Sequence, residues 1–203
     1  MEEAPRIISL KVTDSTNDEA RRRLPGLANL SVVSASRQTA GRGQGDHTWC
    51  SAAGANLTFT LVLKSPPCPV IRTGEIILIT QAVTHGIREY LLSRGVEARI
   101  KWPNDLWVGD RKICGILIEN ILDGKRVSAS LIGIGLNLNQ LRFPAGLPNP
   151  VSLRQLTGVR YDVAAELSAL YESLKTSAAL LETQEGRTSL SDYFDACVFR
   201  LGD

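Results

Sequence analysis

The stretch from Lys101 to Glu119, KWPNDLWVGDRKICGILIE, narrows the choice of fold more than any other part of the chain. Two apolar runs, one ending at Val108 and the next resuming at Ile113, flank Gly109-Asp110, a pair suited to a tight hairpin turn. A strand, a turn and a second strand over Ile113 to Ile118 follow, and the second strand should cross a sheet. The same unit carries Lys101, Lys112, the pair Asn104-Asp105 and Gly115. Cationic and acceptor groups therefore converge on one small site, and chemistry is expected there.

With 203 residues, 43% of them hydrophobic, the chain supports one full core and falls short of two comfortable domains. A formal net charge of +2 makes no demand for a polyanionic partner, so nucleic-acid binding is not expected. The one basic cluster, Arg21-Arg22-Arg23, falls at a helix end, where arginines solvate a face or meet helix carbonyls more often than they grip phosphates. Cys50, Cys68, Cys114 and Cys197 have no CxxC spacing and no neighbouring histidine, which argues against zinc and against a disulfide framework; reduced thiols are expected. His47 reads as a solvated loop imidazole and His85 as a packed or exposed helix residue, neither a metal ligand. No basic-then-apolar leader opens the chain and no apolar run approaches the ~18 residues of a membrane span. The expectation is a soluble, cytoplasmic protein.

Arg6 to Val12 reads as a strand, followed by the polar break Asp14-Ser15-Thr16-Asn17. Thr16-Asn17-Asp18-Glu19 fits a capping box, with Thr16 as cap and Glu19 reaching back, so a short helix is expected from about Asn17 to Leu24, stopped by Pro25-Gly26. Ser15 and Thr16 then sit at a helix N-terminus, where they either cap the helix or present hydroxyls to the strand end. Leu30 to Ser36 is a second strand. Gln38 to Gly45, QTAGRGQG, follows as a mobile glycine-rich loop around Arg42, either a surface turn or a backbone able to approach an anion.

Ala55 to Lys64 alternates, with Leu57, Phe59, Leu61 and Leu63 on one face and Thr58, Thr60 and Lys64 on the other, as in a half-buried strand. Ser65-Pro66-Pro67-Cys68-Pro69 ends it. Glu75 to Arg94 carries Ile76, Ile79, Val83, Ile87, Tyr90 and Leu91 at helical spacing and stops at Gly95. Ala98 to Ile100 leads into the hairpin, Asp123-Gly124-Lys125 turns the chain, and Arg126 to Asn139 is a strand whose Gly133 and Gly135 imply that a ligand, a strand or a bulge comes close to the backbone. A proline-rich loop over Leu141 to Pro150, a helix over Asp162 to Leu181 with Val163, Leu167, Leu170, Leu174 and Leu181 on its buried stripe, and a short helix over Ser191 to Arg200 complete the chain.

Four pieces in a fixed order resemble the biotin protein ligases. They are STN at Ser15 to Asn17, QTAGRG at Gln38 to Gly43 with Trp49 following, KWPND at Lys101 to Asp105 with RKICGILIE at Arg111 to Glu119, and IGIGLNLN at Ile132 to Asn139. KWPND with its downstream lysine is the most specific, and the match covers about two thirds of the chain. The resemblance implies an α+β fold, a mixed central sheet flanked by helices like that of class II aminoacyl-tRNA synthetases and of biotin and lipoate ligases. It implies one catalytic domain over 1–203, with no room for an N-terminal helix-turn-helix and with the C-terminal SH3-like barrel absent or truncated at Phe199 to Asp203.

By the same resemblance the substrates are biotin and ATP with Mg2+ carried on the nucleotide, and the acceptor is a lysine of the biotin carboxyl carrier domain of a carboxylase. A membrane or nucleic-acid partner is not implied, and a homodimer is left open. Lys112, Arg42 and Asp105 take the catalytic roles: Lys112 bridging biotin carboxylate and α-phosphate, Arg42 clamping the same oxygens, Asp105 with Asn104 serving metal, phosphate or incoming amine. Ser15, Thr16, Asn17 and Gln38 surround the ureido ring, with Gly41 and Gly43 beside Arg42 and with Gly115 and Gly133 leaving room for the bicycle. Trp49 and Asn137 serve the adenine or ribose side, and Gln44, Lys101 and Asn104 the adenylate. One departure stands out: Gln44, Asp46 and His47 occupy a loop that is more basic in the family, so the clamp on the adenylate has lost charge. The alternatives are a lipoate or octanoate ligase-type acyl transferase, and a biotin-binding module without catalysis.

Overall fold

The computed structural model describes residues 4–65, 70–147 and 149–199. Cys68, the proline break at Pro66, Pro67 and Pro69, and the expectations for Arg200 to Asp203 lie outside these residues. Among the described residues eight strands form one mixed sheet in the order β1-β2-β3-β7-β6-β5-β4-β8, and the chain divides into two compact units, Met1–Glu75 with Ile116–Leu136, and Ile76–Gly115 with Asn137–Asp203.

In the first unit, β1 (Ile7–Thr13) runs parallel to β2 (Val32–Gln38), which pairs antiparallel with β3 (Leu57–Lys64). Between β1 and β2 lies α1 (Thr16–Arg23), closed by a 3-10 turn at Leu24–Gly26. The cap is Ser15, one residue earlier than expected, its Oγ accepting from Asp18 N. Glu19 does not reach back; Arg22 and Arg23 engage its carboxylate instead. β2 begins two residues later than expected because Leu30 adopts a φ of 61° and turns the chain. β3 is buried on both faces rather than one: Thr58 and Thr60 lie at 8% and 0% exposure. The reason is α1, which packs on that strand, with Ala20, Leu27, Val33, Val62 and Leu131 as a small apolar core.

In the second unit, α2 (Ile77–Ser93) buries Ile79, Val83, Ile87, Tyr90 and Leu91 as the period predicts. Gly95, at φ 73°, follows its C-cap residue Arg94. β4 (Arg99–Lys101) and β5 (Asp105–Val108) pair antiparallel, and β5 turns through Gly109, at φ 58°, into β6 (Arg111–Asp123), with Val108 opposite Arg111. The expected hairpin is present. β7 (Arg126–Leu136), a strand of the first unit, ends three residues sooner than expected; in the second unit Asn137 and Leu138 give their carbonyls to Leu153 N and Arg154 N of the short helix α3 (Leu153–Thr157).

Helix α4 (Val163–Ala179) starts at its Asp162 cap and packs on α2. A Cβ on Gly86 would lie 3.0 Å from Leu174 Cα, so that glycine sets the approach of the two helices. The last helix, α5 (Gln184–Cys197), begins seven residues before the expected start. Thr183 caps it by accepting from Gly186 N, and β8 (Val198–Phe199) then pairs parallel with β4.

Candidate functional site

The N-terminus of α1 carries the first cluster. Ser15, Thr16 and Asn17 are each 3% exposed, deep for polar residues. Asn17 donates through Nδ2 to Glu119 Oε2 at 2.8 Å and to Leu117 O at 3.3 Å, and its Oδ1 accepts from Thr60 Oγ1 at 2.6 Å. Thr60 Oγ1 also lies 2.9 Å from Thr16 Oγ1, while Thr16 N donates to Gln38 Oε1 at 2.7 Å. A Cβ on Gly133 would stand 2.6 Å from Asn17 Oδ1. That glycine is small because the Asn17 side chain occupies the space against its backbone.

The glycine-rich segment is folded back on itself. Arg42 bridges antiparallel to Thr48, Gly43 N donates to His47 O, and Trp49 N donates to Gly41 O. A Cβ on Gly41 would lie 2.5 Å from Trp49 O, and one on Gly135 would fall within the Trp49 indole, so both glycines make room for the tryptophan segment. The guanidinium of Arg42 holds Glu119 through both oxygens, at 2.9 and 3.2 Å, and Asp18 at 2.8 Å. Glu119 also meets Arg21 at 3.4 Å. Burial pushes its carboxyl pKa up, but the hydrogen bonds from Asn17 and Arg42 outweigh this and hold it below the ordinary value. Gln44 is exposed in this loop.

The second cluster sits on the β5–β6 hairpin. Lys112 Nζ pairs with Asp105 Oδ1 at 2.6 Å, and Asp105 is opposite Lys101 on β4 and Gly115 on β6. Lys101 Nζ lies over the Trp107 ring, 3.9 Å from its centroid. Asn104 is half-buried in the turn between β4 and β5. Asn137, 3% exposed, donates from N to Ile113 O and from Nδ2 to Lys112 O, and Lys112 N donates to Asn149 O. The backbone of Lys112 is thereby fixed on both sides while its ammonium extends to Asp105.

Arg21, Arg22 and Arg23 are spent on Glu119, Asp14 and Glu19. His85 packs edge-on against Tyr193, with Nδ1 2.8 Å from Ser177 Oγ. His47 is exposed. Among the described residues Cys50, Cys114 and Cys197 are free thiols, and burial pushes the Cys114 thiol up.

Ser15, Thr16, Asn17, Gln38, Arg42 and Gly133 are thus gathered in the first unit, and Lys101, Asp105, Lys112, Gly115 and Asn137 in the second. Sequence reasoning passed over three residues: Glu119, Thr60 and Asp18. Glu119 stands within a matching motif, and a carboxylate ending an apolar strand was a signal that could have been weighed. Thr60 was taken for a solvent-facing strand residue.

This sheet with its helices is the architecture of solved biotin protein ligases. The structure of the Aquifex aeolicus biotin protein ligase in complex with biotin and ATP matches with a TM-score of 0.82 at 22% identity, over 98% of this chain and 80% of that one. That of the Leishmania major biotin protein ligase in complex with biotin matches at 0.77 and 24% identity, over 99% and 85%. In sequence, the biotin--[acetyl-CoA-carboxylase] ligase of Paracoccus denitrificans is 32% identical over 195 residues, 94% of this chain and 80% of that protein. The bifunctional ligase/repressor BirA of Bacillus subtilis is 38% identical over 137 residues, 66% of this chain. The match covers only 41% of that relative's length. The model of the biotin/lipoate A/B protein ligase family matches residues 9–137. The chain belongs to this family.

Proposed function

We propose that the chain activates biotin with ATP and transfers it to the lysine of a carboxylase's biotin carboxyl carrier domain, in the cytoplasm. In the first step a biotin carboxylate oxygen attacks the α-phosphorus, the bond to the β-phosphate oxygen breaks, and pyrophosphate leaves biotinyl-5′-AMP. In the second, the carrier amine attacks the carbonyl carbon of the mixed anhydride. The amide forms, AMP departs with the bonding pair, and the amine gives up a proton. Two anions must be brought together first, so the chain has to supply positive charge and orientation rather than a nucleophile. Lys112, steered by Asp105, and Arg42 supply the charge; Lys101 adds to it. Mg2+ would be carried on the nucleotide phosphates, with Asn104 and Asp105 proposed to serve the metal, a phosphate or the incoming amine.

The observation that carries this proposal is the neutral, buried group at the start of α1. A cyclic urea offers two N–H donors and one carbonyl acceptor, and Ser15 and Thr16, each 3% exposed, with the half-buried Gln38 bring hydroxyls and an amide of matching kind, beside Asn17, which is equally buried. The dithiolane of lipoate would leave such groups without partners, at about 1–3 kcal/mol each. ATP–pyrophosphate exchange with biotin, lipoate and octanoate in parallel tests it. Exchange that requires biotin is expected; exchange driven by lipoate, or biotin binding with no exchange, overturns it.

A further inference from the structure

The contacts around Asn17 have a direction. The two acceptors at Asn17 Nδ2, Glu119 Oε2 and Leu117 O, fix which end of the amide is nitrogen, so Asn17 Oδ1 can only accept. Thr60 has one hydroxyl proton, and the 2.6 Å contact with Asn17 Oδ1 takes it. The 2.9 Å contact between Thr60 Oγ1 and Thr16 Oγ1 is then donated by Thr16. Thr16 Oγ1 is left with lone pairs only. On the neighbouring strand, Gln38 Oε1 is taken by Thr16 N, which turns the Gln38 amide so that its NH2 is the end left to donate.

We propose that Glu119 and Thr60 are positioning residues that set the hydrogen-bond polarity of the vitamin-reading side chains, making Thr16 an obligate acceptor and, with Gln38 held as a donor, matching the N–H and C=O of a cyclic urea. This rests on the biotin assignment above. Neither residue needs to touch the ligand. Glu119 starts the chain because it is held as a carboxylate by Arg42 and Arg21 and accepts only. Thr60 transmits it because it is fully buried and water cannot offer a substitute proton. The order runs Thr16 to Thr60 to Asn17 to Glu119, each donating to the next.

Thr60→Val keeps the volume and removes the proton, and Thr60→Ser restores the proton without the methyl. Biotin affinity is measured by calorimetry, and the KM values for biotin and ATP with kcat are measured by pyrophosphate exchange, all on chains shown to melt cooperatively. For Thr60→Val the biotin Kd and KM should rise about tenfold, with kcat at saturating biotin and the KM for ATP within twofold of wild type. Thr60→Ser should return the biotin constants to within threefold. If Thr60→Val does not fold, Thr60→Ala takes its place, with Thr60→Ser again separating hydroxyl from volume. A biotin KM that stays within twofold in a folded variant, or a kcat that falls with biotin KM unmoved, overturns the relay alone. Wild-type protein that binds no biotin overturns the assignment of the site and the relay with it.

Discussion

At the start of α1 Ser15, Thr16 and Asn17 are neutral and almost without exposure, and Thr16 and Asn17 are joined through the buried hydroxyl of Thr60. On the β5–β6 hairpin they are charged, and Lys112 and Asp105 keep 23% and 20% of their side-chain surface in solvent. Each cluster uses the material its burial permits. Neutral donors and acceptors survive complete desolvation when every lone pair and proton has a partner, and their geometry then discriminates sharply between ligands. A lysine treated the same way would lose several kcal/mol of hydration, so it stays near the surface beside a carboxylate. The first arrangement suits choosing a small uncharged ring; the second suits meeting a phosphate.

That division predicts different failures. Lys112→Ala removes charge from the half-exposed cluster and should lower biotin-dependent pyrophosphate exchange by about 10²–10³-fold or more, while stability falls by under about 1 kcal/mol because the pair is partly solvated. A thermal melt beside the exchange assay checks both, and exchange at wild-type rates would remove Lys112 from the chemistry. Gly133→Ala acts on the buried cluster instead. Its Cβ would stand 2.6 Å from Asn17 Oδ1, so the biotin KM should rise about tenfold and stability drop by about 1–3 kcal/mol, with kcat little changed.

Smaller effects sharpen the contrast near Arg42, which with Arg21 ties positive charge to the neutral cluster through Glu119. Gln44→Arg returns charge to the exposed loop; one charge-assisted hydrogen bond, worth about 1.5–3 kcal/mol, should slow release of biotinyl-5′-AMP tenfold or more. Equal release rates from the two proteins would dismiss the idea that the neutral loop leaks. The least effect is expected in acid. Glu119 has its pKa lowered on folding from the ordinary 4.5, so it stabilises the folded chain above that value, and the contribution is lost as pH falls through the folded pKa. Glu119→Gln should flatten the decline of Tm below about pH 4.5 and leave the neutral-pH slope alone.

Much of the fold was legible because it follows from local periods. The stripe of α2, the Gly109 turn of the hairpin and the Asp162 start of α4 depend on neighbours within a few residues. The α3 cap was equally local, since Ser152 and Gln155 form a capping box of the S-x-x-Q kind, and it was passed over just beyond the proline-rich loop. The early start of α5 was hidden by Gly186, a poor helix former tolerated beside its Thr183 cap. β8 spans two residues and is a strand only because β4 lies beside it.

The motif residues announced a site, but their bonding did not follow from them. Gly133 and Gly135 promised a close approach, and the visitors turned out to be Asn17 and Trp49, distant in sequence. Glu119 reaches Asn17 across 102 positions and Arg42 across 77, and Thr60 meets Asn17 across 43.

By itself the order of amino acids determined the types of element, the hairpin that carries Lys112 and Asp105, and the family to which the chain belongs. Those properties are written in spacing, and spacing survives in one dimension. Tertiary structure alone decided that both faces of β3 are covered, what fills the space over the glycines, and which way each buried proton points. A hydrogen bond's direction depends on what stands opposite, and only folding brings the opposite group into place.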